Sequence, residues 1–140
     1  MNQSSILTRA RALEIASLEG AAGRREHEQF RIDGWRAVSS AIDAGADLLE
    51  IVVQANLSAD PRLKQLPRGC AVHELPARAV AKLASVVNDQ GVIAVCKIPT
   101  SDGRSYLGGS RIVALDRVQD PGNVGTIVRA AAWFGFDAVI

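Results

Sequence analysis

The chain has 140 residues, 48% hydrophobic and 22% charged, with a formal net charge of +1, the make-up of one globular domain or of one small domain with a piece of another. No apolar run approaches the ~20 residues that cross a bilayer, and the N-terminus, MNQSSILTRARALEIASLEG, carries Glu14 and Glu19 but no signal-peptide core, so a cytoplasmic, non-membrane protein is expected. The near-neutral charge does not announce a polyanionic partner, yet 13 of the 16 basic residues are arginine, whose planar fork suits phosphate and stacks on bases; a GC-rich genome gives the same bias.

The pattern LTRARALEIASL over 7–18 predicts an amphipathic helix capped by Thr8 and ended by Gly20 and Gly23. The charged run Arg24-Arg25-Glu26-His27-Glu28 follows, then a short strand at Phe30-Arg31-Ile32 that turns at Asp33-Gly34. WRAVSSAIDA over 35–44 reads as a helix with Val38, Ala41 and Ile42 inward, closed by Gly45. LLEIVVQ over 48–54 is a buried strand, and the polar segment 58–66, with Pro61, has room for one short helix. CAVHEL is a strand, PARAVAKLASV a helix opened by Pro76, and GVIAVCKI over 91–98 an apolar strand. Strands alternating with helices over 24–98 imply an α/β layered domain, with an N-terminal helix in 1–23 before it. Its ~75 residues suffice for a modest core. Trp35, opening an amphipathic helix, is expected in that core. Cys70 and Cys96 sit in apolar runs and read as buried free thiols. His27 and His73 lack ligand spacing, so both read as structural or surface residues and no metal site is expected.

PTSDGRSYLGGS, 99–110, has the composition of a linker, with Tyr106 an exposed linker residue. After it come a strand RIVALD, a loop RVQDPGNVG, a helix TIVRAAAWF and a strand FDAVI. One β-α-β unit needs neighbouring strands and covering helices to bury both faces of a parallel sheet. Residues 111–140 are therefore expected to be the first unit of a second, truncated domain, with Val139 and Ile140 short of partners.

The loop of that unit is the informative stretch. Pro121 and Gly122 suggest a tight turn, and Asn123 a helix N-cap accepting from an amide near Gly125 or Thr126. Gly125 permits a close approach by backbone or ligand. Arg129 lies six residues beyond Asn123, ~9 Å along a helix, within reach of the loop by its long side chain. Asn123 and Arg129 can thus converge above the C-terminal edge of the sheet, where open α/β sheets bind ligands. A plain cap with a solvated arginine fits the same spacing. A dinucleotide-binding loop fits less well, because the G-x-G-x-x-G pattern and a Walker lysine are both missing.

The segment LDRVQDPGNVGTIVRAAAWFGFDAVI closely resembles the first signature motif of the SpoU/TrmH family of RNA 2′-O-ribose methyltransferases, of the SPOUT class. The matching residues are Asp120-Pro121-Gly122-Asn123, Gly125-Thr126-Ile127, Arg129, Ala131 and Phe134-Gly135. Arg25, the run from Phe30 to Gly34, and Asp89-Gln90-Gly91-Val92-Ile93-Ala94-Val95 are similar to the family's N-terminal domain. Ala130, Ala132 and Asp33 depart from the residues usual at those places. The resemblance implies an RNA substrate-binding domain at 24–98, a small α/β/α sandwich of ribosomal-protein type. It implies that 111–140 begins an α/β-knot domain that binds S-adenosylmethionine and forms a homodimer, with the cofactor site downstream of Ile140. It also implies catalytic roles for Arg129, orienting or helping to deprotonate a ribose 2′-hydroxyl, and for Asn123 in support. Arginine is a poor base with a pKa above ~12, so orienting the hydroxyl and a nearby phosphate is the role expected of it. The substrate would be rRNA or tRNA, and the 140-residue chain alone is expected to be a catalytically inactive fragment. A stand-alone, ribosomal-protein-like RNA-binding module and an unrelated nucleotide-binding α/β protein are the other readings. For RNA contacts, Arg24, Arg25 and Arg36 flank the turn into the first strand; a solvated charged face, offset by Glu26 and Glu28, reads equally well there.

Overall fold

LLEIVVQ forms the strand around which the first part of the molecule is built. The computed structural model describes residues 6–83, 91–100 and 109–140, and the chain divides into two units, Met1–Pro99 and Thr100–Ile140. In chain order the first unit has α1 (Arg9–Ser17), α2 (Ala21–His27), β1 (Gln29–Asp33), α3 (Trp35–Asp43), β2 (Leu48–Gln54), two 3₁₀ turns (Ala55–Leu57 and Pro61–Gln65), β3 (Ala71–Leu75), α4 (Ala77–Leu83) and β4 (Val92–Lys97). The strands lie in the order β1-β4-β2-β3. β4 pairs antiparallel with both β1 and β2, and β2 pairs parallel with β3.

Alternation along the strands sorts their side chains into two layers. Ile51, Val53, Val92, Ala94 and Cys96 pack with Trp35 and Val38 of α3 and with Leu66, Cys70 and Val72. Val52, Ile93 and Val95 pack on the other face with Ile15 and Leu18, at the end of α1, and with Val80 and Leu83 of α4. Burial on both faces explains why β2 and β4 are nearly continuous Val/Ile/Leu/Ala runs. Each Val, Ile or Leu side chain removed from water stabilises the fold by about 1.5–3 kcal/mol. A bulge between Leu48 and Glu50 shifts the register, so Leu48 joins the α3 layer. This is the α/β/α sandwich expected from the sequence, and α1 belongs to its packing. Cys70 and Cys96 are buried free thiols, as expected. Burial pushes the Cys70 thiol up to about 11, and burial raises that of Cys96 as well.

Thr8 caps α1, its hydroxyl accepting from the Arg11 amide at 3.2 Å. Gly20 and Gly23 do not simply end the chain's first helix. Gly20 is the N-cap of the separate helix α2, Gly23 lies inside it, and the charged run from Arg24 to His27 is helical. The reason is close packing: a Cβ on Gly23 would stand 2.3 Å from the Ser17 carbonyl oxygen, so only glycine lets α2 lie against the end of α1. The polar segment 58–66 holds one short helix, as expected, of 3₁₀ type over Pro61–Gln65, and a second 3₁₀ turn precedes it at Ala55–Leu57. Gly91, with φ +73°, joins β2 to β4 by accepting from the Gln54 amide at 2.8 Å. Asp89 and Gln90 of the quoted motif, the end of the expected helix over 76–86, and Tyr106 of the linker lie outside the described residues.

The second unit is a β-α-β unit: β5 (Ile112–Val113), α5 (Pro121–Trp133) and β6 (Ala138–Val139), the two strands parallel. The backbone of Ile140 is paired, while its side chain stays 54% exposed, short of partners as expected. The Ile140 amide donates to Val113 O at 2.9 Å, and the Leu115 amide to Ile140 O at 2.7 Å. The Asp137 carboxylate accepts from the amides of Arg111 and Ser110, each at 2.9 Å, which holds it below the usual carboxylate range. Among the described residues no helix is long and apolar enough to cross a membrane.

Candidate functional site

The start of α5 holds the residues the sequence points to, with one change of place. Asp120 is the N-cap: its carboxylate accepts from the Gly122 amide at 2.9 Å. Pro121 takes the first helical position, where its missing N–H leaves no bond unmade. The expected turn at Pro121-Gly122 is therefore the first turn of the helix, and Asn123 lies within that turn, exposed, instead of capping it.

Arg129 does fold back toward the start of the helix. One guanidinium nitrogen donates to Thr126 Oγ1 at 3.2 Å, and the Thr126 hydroxyl donates in turn to Gly122 O at 2.9 Å. The path runs over Gly125, where an added Cβ would sit 3.3 Å from Arg129 Nη1. Arg129 thus meets Thr126, three residues after Asn123, and not Asn123 itself. Asn123, Thr126 and Arg129 are all exposed. Further along, Trp133 is 86% exposed and Phe134 69%.

The three arginines expected to contact RNA are not brought together. Arg24 is half-buried and committed to the end of α1, donating to Leu18 O at 3.1 Å and Glu19 O at 2.5 Å. Helix ends leave such carbonyls without partners, and a basic side chain there also meets the favourable end of the helix dipole. Arg25, exposed on α2, donates to Ala21 O one turn back, at 3.3 Å. Arg36 is exposed on α3, the helix on the sheet face opposite α1.

Two polar arrangements in this unit carry no signal in local sequence. Glu50, a lone acid in an apolar strand, is buried with His73 of β3, Oε2 to Nε2 at 2.9 Å. Its other oxygen accepts from the Arg11 guanidinium, which also donates to Glu14 at 2.7 Å and Gln29 at 2.7 Å. The bond from Arg11 lowers the pKa of Glu14. This network ties α1 to β1, β2 and β3, which confirms His73 as structural. On the other face, the Arg62 guanidinium stacks 4.4 Å from the centre of the Trp35 ring. Arg62 also makes a two-pronged pair with Asp60, at 2.9 and 2.6 Å, which brings that carboxyl down to about 2. Trp35 is in the core, as expected. Among the described residues no group of His, Cys, Asp and Glu could hold a metal ion.

Residues 11–94 match the model of the MRM3-like substrate binding domain. A 23S rRNA guanosine 2′-O-methyltransferase of Bacillus subtilis is 29% identical over 119 residues, covering 84% of this chain and 45% of that protein. A 23S rRNA guanosine 2′-O-methyltransferase of Xanthomonas campestris is 30% identical over 123 residues, covering 78% of this chain and 49% of its own length. The chain spans about half the length of these curated relatives. Among solved structures, an AdoMet-bound rRNA methyltransferase of Sinorhizobium meliloti superposes with a TM-score of 0.75 at 28% identity, over 99% of this chain and 53% of that one.

Proposed function

The chain belongs to the MRM3-like substrate-binding domain family of the SpoU/TrmH RNA methyltransferases, and from that premise we propose that it serves the transfer of a methyl group from S-adenosylmethionine to a ribose 2′-hydroxyl of rRNA or tRNA. In this reading the first unit holds the RNA, and the second begins the knotted catalytic domain of a cytoplasmic homodimer. The observation that carries it is Arg129, held back over Gly125 toward the start of α5, with Asn123 six residues before it on the same helix.

The chemistry follows from the groups. A ribose hydroxyl is a weak nucleophile, and holding it in attack geometry removes much of the barrier. The Arg129 guanidinium donates to the hydroxyl oxygen or to the adjacent phosphate and fixes the attacking lone pair. It does not take the proton, because its pKa exceeds ~12. Asn123, an amide with both donor and acceptor, holds the neighbouring polar group of the nucleotide. S-adenosylmethionine would supply an electrophilic methyl group. The described residues of the second unit form no site for it: α5 and two short strands leave the start of the helix open, and the Gly122 amide there is engaged by Asp120.

RNA would be held through Arg25 and Arg36, whose guanidinium groups are exposed, while Arg24 serves the fold. The test is transfer of labelled methyl from S-adenosylmethionine to rRNA and tRNA ribose by the full-length protein. Arg129→Ala and Asn123→Ala should each lower kcat at least tenfold. RNA binding without any methyl transfer would leave the RNA-binding module as the function.

A further inference from the structure

We propose that Thr126 is a positioning residue for Arg129, setting the guanidinium in place before RNA arrives; this rests on the reading of Arg129 as the group that orients the ribose hydroxyl. Arg129 is exposed, and a free arginine side chain samples many rotamers. A group that must meet a hydroxyl in one geometry loses rate for every rotamer it samples instead. Thr126 removes that freedom by a chain of two hydrogen bonds with a fixed direction. Its single proton goes to Gly122 O at 2.9 Å. That leaves the oxygen's lone pairs for Arg129, which donates at 3.2 Å. The bond to the carbonyl one turn back also fixes the threonine rotamer, so the acceptor that Arg129 meets is itself immobile.

Two further features fit this role. The arginine lies back along the helix close over Gly125, where a Cβ would stand 3.3 Å from Nη1. The helical neighbours of Arg129 at three and four positions are Gly125, Thr126, Ala132 and Trp133, of which Thr126 alone offers an oxygen side chain. Among the described residues Arg129 makes no ion pair, so a neutral hydroxyl positions it without cancelling its charge. Its remaining N–H groups and full charge stay available to ribose and phosphate.

The experiment compares Thr126→Val, which keeps the shape and removes the hydroxyl, with Thr126→Ser, which keeps the hydroxyl. In the 140-residue chain, nitrogen-detected NMR of the Arg129 guanidinium reads slowed rotation in the parent and in Thr126→Ser, and free rotation in Thr126→Val. In full-length protein, Thr126→Val lowers kcat about tenfold with the KM for RNA unchanged, Thr126→Ser restores it, and Thr126→Val adds nothing to Arg129→Ala. Thr126→Ala, which also removes the hydroxyl and suits a helix interior, produces the same fall in kcat, and it serves alone if Thr126→Val does not fold. Parent kcat in Thr126→Val or Thr126→Ala, with Arg129→Ala inactive, overturns the positioning role and leaves Arg129 as the orienting group. Parent kcat in Arg129→Ala overturns both.

Discussion

Replacing Gly23 by alanine sets two effects of opposite sign against each other, and the structure decides between them. In an exposed helix interior the change would stabilise by about 1 kcal/mol, through propensity alone. Here the new methyl group would lie 2.3 Å from the Ser17 carbonyl oxygen, 2.6 Å from its carbon and 2.7 Å from its hydroxyl. Carbon and oxygen not bonded to each other settle roughly 1 Å further apart, near the ~3.5 Å of a van der Waals contact, so α2 must withdraw from α1 by about that distance. Two of the three atoms are backbone and cannot rotate away. Overpacking of this kind costs about 1–3 kcal/mol, and the upper end applies because Ile15 and Leu18, beside Ser17, are fully buried. The net expectation is a loss of about 1–2 kcal/mol, a fall in Tm of roughly 5–15 °C for a domain of this size. Urea denaturation followed by circular dichroism measures it, with Gly20→Ser as the control. A serine Cβ at position 20 meets only an ordinary 3.7 Å contact, and a serine cap in place of glycine should stabilise by a few tenths of a kcal/mol. If Gly23→Ala raised the midpoint, the glycine would not be there for close approach, and the reasoning would fail.

Glu50→Ala would leave the Arg11 guanidinium without its buried partner and open a hole beside His73, and should cost about 3 kcal/mol in urea melts; an unchanged midpoint would show the network to be inert. Because Arg62 holds Asp60 at about 2, the pair's contribution to stability is complete above the ordinary aspartate pKa of ~3.9 and fades as pH falls toward 2. Arg62→Ala should flatten that part of the acid-stability profile, and a profile identical to the parent's would refute the assignment. Neither cysteine should react with a thiol reagent in native protein on the timescale of minutes, since Cys70 is held at about 11 and both are buried; reaction rates should rise with urea as the domain opens, and fast labelling in buffer would contradict the packing. Arg36→Ala and Arg25→Ala should weaken RNA binding modestly and lower its salt dependence without changing Tm, whereas Arg24→Ala should lower Tm through the lost cap on α1.

How far the sequence reveals all this depends on whether the cause of an element is local. β2 and β4 are legible because each is an apolar run bounded by glycine or polar residues, and burial on both faces demands such a run. The helix α2 is hidden because its cause is tertiary: Gly23 looks like a helix breaker until Ser17 of α1 is placed against it. The motif Asp120-Pro121-Gly122-Asn123 is ambiguous for a different reason. Aspartate followed by proline and glycine suits a turn and a capped helix start equally, and the Asp120 carboxylate bonding the Gly122 amide selects the second. Asn123 and Arg129 were legible as candidates from their spacing on one short helix. Thr126 was not, because its part depends on which way a hydroxyl proton points. The Arg11–Glu50 pair joins residues 39 positions apart, beyond any local pattern.

The strand order has a consequence for how the protein is made. β4 is the last strand of the first unit in the chain, yet it lies between β1 and β2. β1 therefore leaves the ribosome roughly 60 residues before β4, its neighbour in the sheet, a wait of several seconds at ordinary translation rates. Until then both it and β2 present unpaired edges that invite pairing with other chains, and only the parallel pair β2–β3 can form early. Translation thus completes this sandwich by inserting its last strand between two that are already waiting. Nascent chains halted before Val92 should lack the protected sheet that those released beyond Lys97 possess.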